Sequence, residues 1–221
     1  MLTAAMAQEV TFPARHDHLR KGGEGTLTVS ADSIRWTESG KKAGHSRTWK
    51  YEDIQRLELA PARIRVQTYE DNRREFGRDR VYTFDHLPAD AAGRVYAVLS
   101  PKLDQRFVAH VPGQVASPIY ETPAKLLLGR YGANGVLKIG TDGIAFAAAG
   151  ESRAWRYSDI DSISSAGAFE LTLNTIEGEN RFQLKQPLAR DRYDDLWRRL
   201  SEAKGLTIYQ SQLESHHEQT H

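Results

Sequence analysis

Three stretches of the chain carry residue types that could do chemistry. His16-Asp17-His18 sets two imidazoles two positions apart, and on a strand, where side chains alternate between faces, both project to the same side. That spacing suits two ligands on one zinc or other divalent ion. A third ligand would have to come from elsewhere, from His45, His86 or Asp17. The competing reading is a strand edge with ordinary histidines, because isolated H-x-H pairs are common and unspecific. At the other end, His217-Glu218-Gln219-Thr220-His221 matches H-E-x-x-H. That motif works when a buried helix presents both histidines to zinc. The residues after Leu213 are polar throughout, so no apolar face would bury such a helix, and a tail with incidental metal affinity is expected.

The third stretch is TYEDNRREFGRDRVYTF, residues 68–84. Arg73, Arg74, Arg78 and Arg80 interleave there with Glu70, Asp71, Glu75 and Asp79 around Gly77, behind Tyr69. A long arginine-rich loop on a rigid scaffold reads as a recognition arm, since guanidinium forks suit carboxylates and phosphates. Tyr69, Arg73, Arg74, Arg78 and Arg80 are its candidate ligand-binding residues. The plainer reading is a solvated hairpin whose charges pair internally, as charge runs usually do. Trp36, Trp49, Trp155 and Trp197, with Tyr51 and Tyr157, could form a sugar or peptide platform. Their alternation and duplication point to core instead. No G-x-S-x-G, P-loop or dinucleotide fingerprint is present, and with no cysteine there is no thiol catalysis, disulfide or Cys-ligated zinc. No reaction is named, and a non-enzymatic binding module is expected, without a cofactor unless a metal sits at His16 and His18.

Composition narrows the partners. The 221 residues are 39% apolar and 27% charged, as in globular proteins, and the net charge is +1. Basic against acidic residues number 17 to 15 over 8–104 and 13 to 14 over the remainder. Neither half has the basic excess of a nonspecific nucleic-acid binder. No apolar run approaches the ~20 residues of a membrane span. Ala5-Met6-Ala7 before Gln8 has the small-x-small form of a signal-peptidase site, so residues 1–8 read as a signal-peptide remnant. The expected location is then extracytoplasmic, periplasmic or secreted; a frayed N-terminus on a cytoplasmic protein is the alternative.

The elements that must position these residues are written twice. SRTWKYEDI (46–54) recurs as SRAWRYSDI (152–160), six of nine positions identical at an offset of 106. Upstream, PARHDHLRKGGEGTLTVSADSIRW (13–36) matches PAKLLLGRYGANGVLKIGTDGIAF (123–146) at an offset of 110. Period-2 alternation on both sides of a tight turn, Leu27 and Val29 then Ile34 and Trp36, predicts a hairpin with one buried face. Trp49 and Tyr51 are expected on one face of a strand ending near Asp53. Each copy closes with an amphipathic stripe: Ala92, Val95, Tyr96 and Leu99 in the first, Tyr193, Leu196, Trp197 and Leu200 in the second. Six or seven short antiparallel strands followed by one helix are therefore expected in each copy. The predicted bounds are 9–104 and 118–206, with a Pro/Gly-bearing linker at 105–117 and a polar tail at 207–221.

This strand order with its closing helix resembles the pleckstrin-homology superfold, and WKYEDI and WRYSDI look like the strand end of bacterial PH-like and GRAM-like domains. The resemblance implies a mainly β chain of two tandem PH-like antiparallel barrels or sandwiches, each capped by a C-terminal α-helix. It also implies binding of lipid headgroups, peptides or other domains. The basic cluster with which that family holds phosphoinositides is reduced here to Arg20 and Lys21, and to Arg130 in the second copy. Protein or peptide recognition through an inter-repeat groove and the elaborated loops of copy one is thus the expected function. Metal-dependent ligand binding or hydrolysis at His16/His18, and peripheral contact with anionic membranes, are the alternatives.

Overall fold

In the computed structural model, residues 9–17, 23–40, 46–72, 75–111 and 115–205 are described. The chain is mainly β and divides into two compact units, Met1–Pro112 and Gly113–His221. Among the described residues, no helix is long and apolar enough to cross a membrane.

Unit 1 contains β1 (Val10–His16), β2 (Gly23–Val29), β3 (Ser33–Glu38), β4 (Arg47–Lys50), β5 (Ile54–Ala60), β6 (Arg63–Asp71) and β7 (Asp79–Asp85), then α1 (Ala91–Leu99) and β8 (Phe107–Ala109). Antiparallel pairing runs β5-β6-β7-β1-β2-β3-β4. Strand β8, inside the stretch read as linker, adds parallel to β5. Unit 2 repeats the plan with β9 (Tyr120–Leu128), β10 (Tyr131–Ile139), β11 (Gly143–Ala148), β12 (Arg153–Arg156), β13 (Ile160–Ser164), β14 (Glu170–Thr175) and β15 (Gly178–Leu184), closed by α2 (Arg190–Ala203). Its order is β13-β14-β15-β9-β10-β11-β12.

The two copies share register as well as order. Phe12 lies opposite Leu27 and His16 opposite Gly23; Thr122 lies opposite Leu137 and Leu126 opposite Ala133. A one-residue slip would turn every apolar side chain to solvent, so the alternation that buries one face also pins the pairing. In β1 every second residue is buried, from Val10 to His16. The helices cover the apolar remainder: Ala92, Val95 and Leu99 in α1, Leu196 and Leu200 in α2, are buried.

Two expectations are corrected. Strands β4 and β12 stop at Lys50 and Arg156, and Tyr51–Asp53 and Tyr157–Asp159 each form one turn of 3₁₀-helix. The turn carries the tyrosine off the strand and aims its hydroxyl at the hairpin turn between the second and third strands of its copy. Tyr51 donates to the Ser30 carbonyl and Tyr157 to the Gly140 carbonyl, both at 2.6 Å. The repeated phrase is therefore a latch. Second, Trp36, Trp49 and Trp155 are core, but Trp197 is 48% exposed. A stripe at i, i+3, i+4 is wider than the face a helix buries on this sheet, and Trp197 falls on its rim.

Burial of Tyr157 pushes its phenol up to about 12. With the folded value above the ordinary ~10, its contribution is fully present below pH ~10 and is lost as pH rises through about 12. Tyr157→Phe, which strands the Gly140 carbonyl, is expected to cost about 1–2 kcal/mol at neutral pH. Denaturant titrations at pH 7 and pH 11 check this: the gap between wild type and variant should narrow at the higher pH.

Candidate functional site

Antiparallel register gathers the ends of three strand pairs at one end of unit 1. His16 faces Gly23, Gly25 faces Glu38, Trp36 faces Arg47 and Asp71 faces Asp79. The ends of β1, β3 and β6 and the starts of β2, β4 and β7 therefore lie together, because His16 lies across from Phe84 and β7 extends past it from Asp79. Unit 2 spends only Ile176 and Glu177 between β14 and β15 where unit 1 spends residues 72–78.

The root of the long hairpin is clamped by charge. The Glu70 carboxylate accepts from Arg47 Nη1 at 3.2 and 3.3 Å, from Arg80 Nη1 at 3.4 Å and from the Tyr82 hydroxyl at 3.0 Å. Both guanidinium groups also lie over the Tyr82 ring, at 5.3 Å for Arg47 and 5.1 Å for Arg80. Burial, then donation to Glu70, raises the Tyr82 phenol above its ordinary value, against the pull of the two arginines. Beneath Tyr82 the aromatic floor continues into Trp49, with ring centroids 4.7 Å apart, and into His16 at 5.8 Å.

The candidates separate in space. Arg80 joins the clamp, whereas Arg78 pairs with Glu75 at 3.1 Å nearer the tip. Tyr69 is exposed and lies beside Arg106, whose guanidinium is held above its ordinary value first by Asp104 and also by a bond to Tyr69. Alternation along β6 turns Tyr69 away from the side on which Glu70 meets Arg80. Arg73, Arg74, His18 and His45 lie outside the described residues, as do Ala5-Met6-Ala7 and His217–His221. His16 is buried, with Phe84 at 5.1 Å and Trp36 at 5.9 Å between ring centroids. Leu126 holds the same place in unit 2, across from Phe182. Among the described residues there is no group of three or more His, Asp or Glu that could hold a metal ion.

Two residues escaped the sequence reading. Phe76, at the hairpin tip beside Gly77 with φ +74°, is fully exposed. Its signal was present: one phenylalanine inside a charge run, with nothing local to bury it. Arg47 stood inside the repeated phrase, but its partner Glu70 is 23 residues away on another strand, and no spacing rule connects them. The assembly can hold a guanidinium pair against one carboxylate and offer an aromatic tip.

No family model matches the chain, and no curated protein matches it. Among solved structures, the C-terminal domain of an unknown protein from Leishmania infantum is 21% identical over 38% of this chain and 84% of that one, with a TM-score of 0.31. A Spt16D Pob3N heterodimer structure is 14% identical over 77% of this chain and 84% of that one, with a TM-score of 0.35. Both scores are too low to carry any conclusion about this chain's relations.

Proposed function

We propose that the protein is a non-enzymatic binding module built from two PH-like units, and that the hairpin end of unit 1 recognises a protein or peptide. The PH-like reading is supported by the strand order 5-6-7-1-2-3-4 with a closing helix, present in both copies. The binding reading is carried by one observation, the fully exposed Phe76 at the tip of a hairpin whose root is clamped at Glu70. An aromatic held out on a rigid base buries its area at low entropic cost when a partner covers it.

The test is affinity capture with the full chain, with Phe76→Ser, and with residues 72–78 replaced by an Ile-Glu turn like that of unit 2. Loss of a captured partner in both variants, by tenfold or more, is the expected result. An unchanged set of partners defeats the assignment. Sedimentation with phosphatidylserine vesicles at physiological salt is run alongside. Vesicle binding that Phe76→Ser removes, with no protein partner affected, would replace the peptide reading by a membrane one.

A further inference from the structure

The closing helices of the two copies begin differently. With Ala92, Val95 and Leu99 set against Tyr193, Leu196 and Leu200, the small Ala91, Ala92 and Gly93 of α1 correspond to Arg192, Tyr193 and Asp194 of α2. Both alanines are buried, so α1 starts close on its sheet. One residue further on, the Arg94 guanidinium carbon lies 4.9 Å from the Phe12 ring centroid. Its counterpart is Asp195, and that of Phe12 is the buried Thr122. Unit 2 thus lacks both the cation and the ring that meet there in unit 1. A partly open cavity of about 300 Å³ lies beneath the start of its helix, between Ile119, Tyr120 and Ile139 on one side and Leu188, Asp191 and Asp195 on the other. That volume is at the low end for small-molecule sites. Its polar groups are mostly engaged. The Tyr120 hydroxyl donates to the Gln186 carbonyl at 3.0 Å. Arg192 donates to the Ile119 carbonyl, with its guanidinium carbon 6.0 Å from the Tyr120 ring centroid. Asp195 accepts from Arg198, and from Arg199 Nε at 2.8 Å. The Asp191 carboxylate is exposed and has no ion pair among the described residues.

We propose that this cavity binds an alkylguanidinium group, its aliphatic stem on Ile119, Ile139 and Leu188 and its cation against Asp191 and Asp195. An aspartate in a first helical turn is ordinary by itself. What points to the ligand is the sister unit, where the chain supplies a guanidinium from its own helix at the corresponding place. Apolar walls with carboxylates at one end suit such a group, because the stem is buried while the charged head keeps hydrogen bonds to acceptors. A free guanidine and an arginine side chain of a peptide present the same chemistry. The proposal is independent of the hairpin reading for unit 1.

The probe is n-butylguanidinium chloride, titrated into the isotope-labelled full chain and followed by amide chemical shifts, with n-butylurea as its neutral isostere. Saturable shifts in the millimolar range are expected around residues 119–120, 139 and 188–195 with the cation, and none with the urea. Asp191→Asn and Asp195→Asn should each weaken binding several-fold. Asp195→Arg, which writes the residue of unit 1 into unit 2, should abolish it by filling the site from within. That variant also gives up the ties to Arg198 and Arg199, so its fold is checked by thermal melting; if it does not fold, the asparagine variants decide. Doubly capped arginine, N-acetylated and C-methylamidated, is titrated alongside. Tighter binding than butylguanidinium assigns the site to a peptide side chain, and weaker binding to a free guanidine. Absence of saturable shifts overturns the proposal, as do equal shifts with butylurea. Binding that both asparagine variants leave unchanged, or shifts confined to unit 1 around Glu70, overturns it as well.

Discussion

Leu126→His is expected to lower the stability of unit 2 by about 4 kcal/mol at neutral pH, from lost apolar burial together with an imidazole left unpartnered in the core. Unit 1 carries histidine at this very place, so the penalty comes from surroundings and not from backbone. His16 is ringed by Trp36, Tyr82 and Phe84. Around Leu126 the equivalents are Phe146, Asn180 and Phe182, and only the phenylalanines are buried. An imidazole there would lose the stacking that Tyr82 and Trp36 provide. Burial also resists its protonation, which holds the folded value below the ordinary ~6.5. The unfolded chain then binds the proton more readily, and stability is lost as pH falls through about 6.5. Denaturant unfolding at pH 7.5 and 5.5 checks both parts: the cost should be larger at 5.5. A pH-independent cost under about 1 kcal/mol would show that the site tolerates polarity on its own.

Gly135→Ala should cost about 3 kcal/mol, and Gly25→Ala a similar amount, although both sit in strands where alanine is ordinarily acceptable. A Cβ at Gly135 would stand 2.3 Å from the Ala147 carbonyl oxygen and 2.8 Å from Phe146 Cζ. At Gly25 it would meet the Thr37 carbonyl oxygen at 2.4 Å and Trp36 Cη2 at 2.6 Å. Backbone cannot yield as a flexible side chain would, so the strand pair must part. The two glycines are repeat partners and serve one purpose: they let an indole or phenyl ring lie flat across the neighbouring strand. Gly93→Ala supplies the opposite sign. Its Cβ would meet nothing within 4 Å in α1, and the substitution should stabilise by about 0.5–1 kcal/mol through helix propensity. Thermal melts of the three variants decide the matter. Equal losses at all three positions would refute the close-approach account.

Much of the fold was legible because its signals are local and stated twice. Alternation of apolar residues marked the hairpins, the turn at Ser30–Ser33 marked their reversal, and the helical stripes marked the caps. Wherever the two copies agreed, as at Gly25 and Gly135 or Tyr51 and Tyr157, the agreement pointed at packing. Less was legible at the margins. The strand at Phe107–Ala109 reads as linker because three residues between prolines carry no periodicity, and only pairing with β5 makes them a strand. Tyr51 was expected on the strand face because alternation cannot see a single 3₁₀ turn.

The site was legible only in part. Residues 68–84 announced a charged hairpin, but not which charges meet. Arg78 is spent on Glu75, while Glu70 is shared by Arg80, Tyr82 and Arg47, and the last of these comes from a strand outside the hairpin. What the sequence by itself determined is the duplicated β plan and the two closing helices, since these follow from periodicity and chain order. What only the tertiary structure decided is which side chains face one another across strands and which aromatic is left uncovered. Clamp and exposed tryptophan both depend on residues far apart in sequence, and their separation encodes nothing until the sheets close.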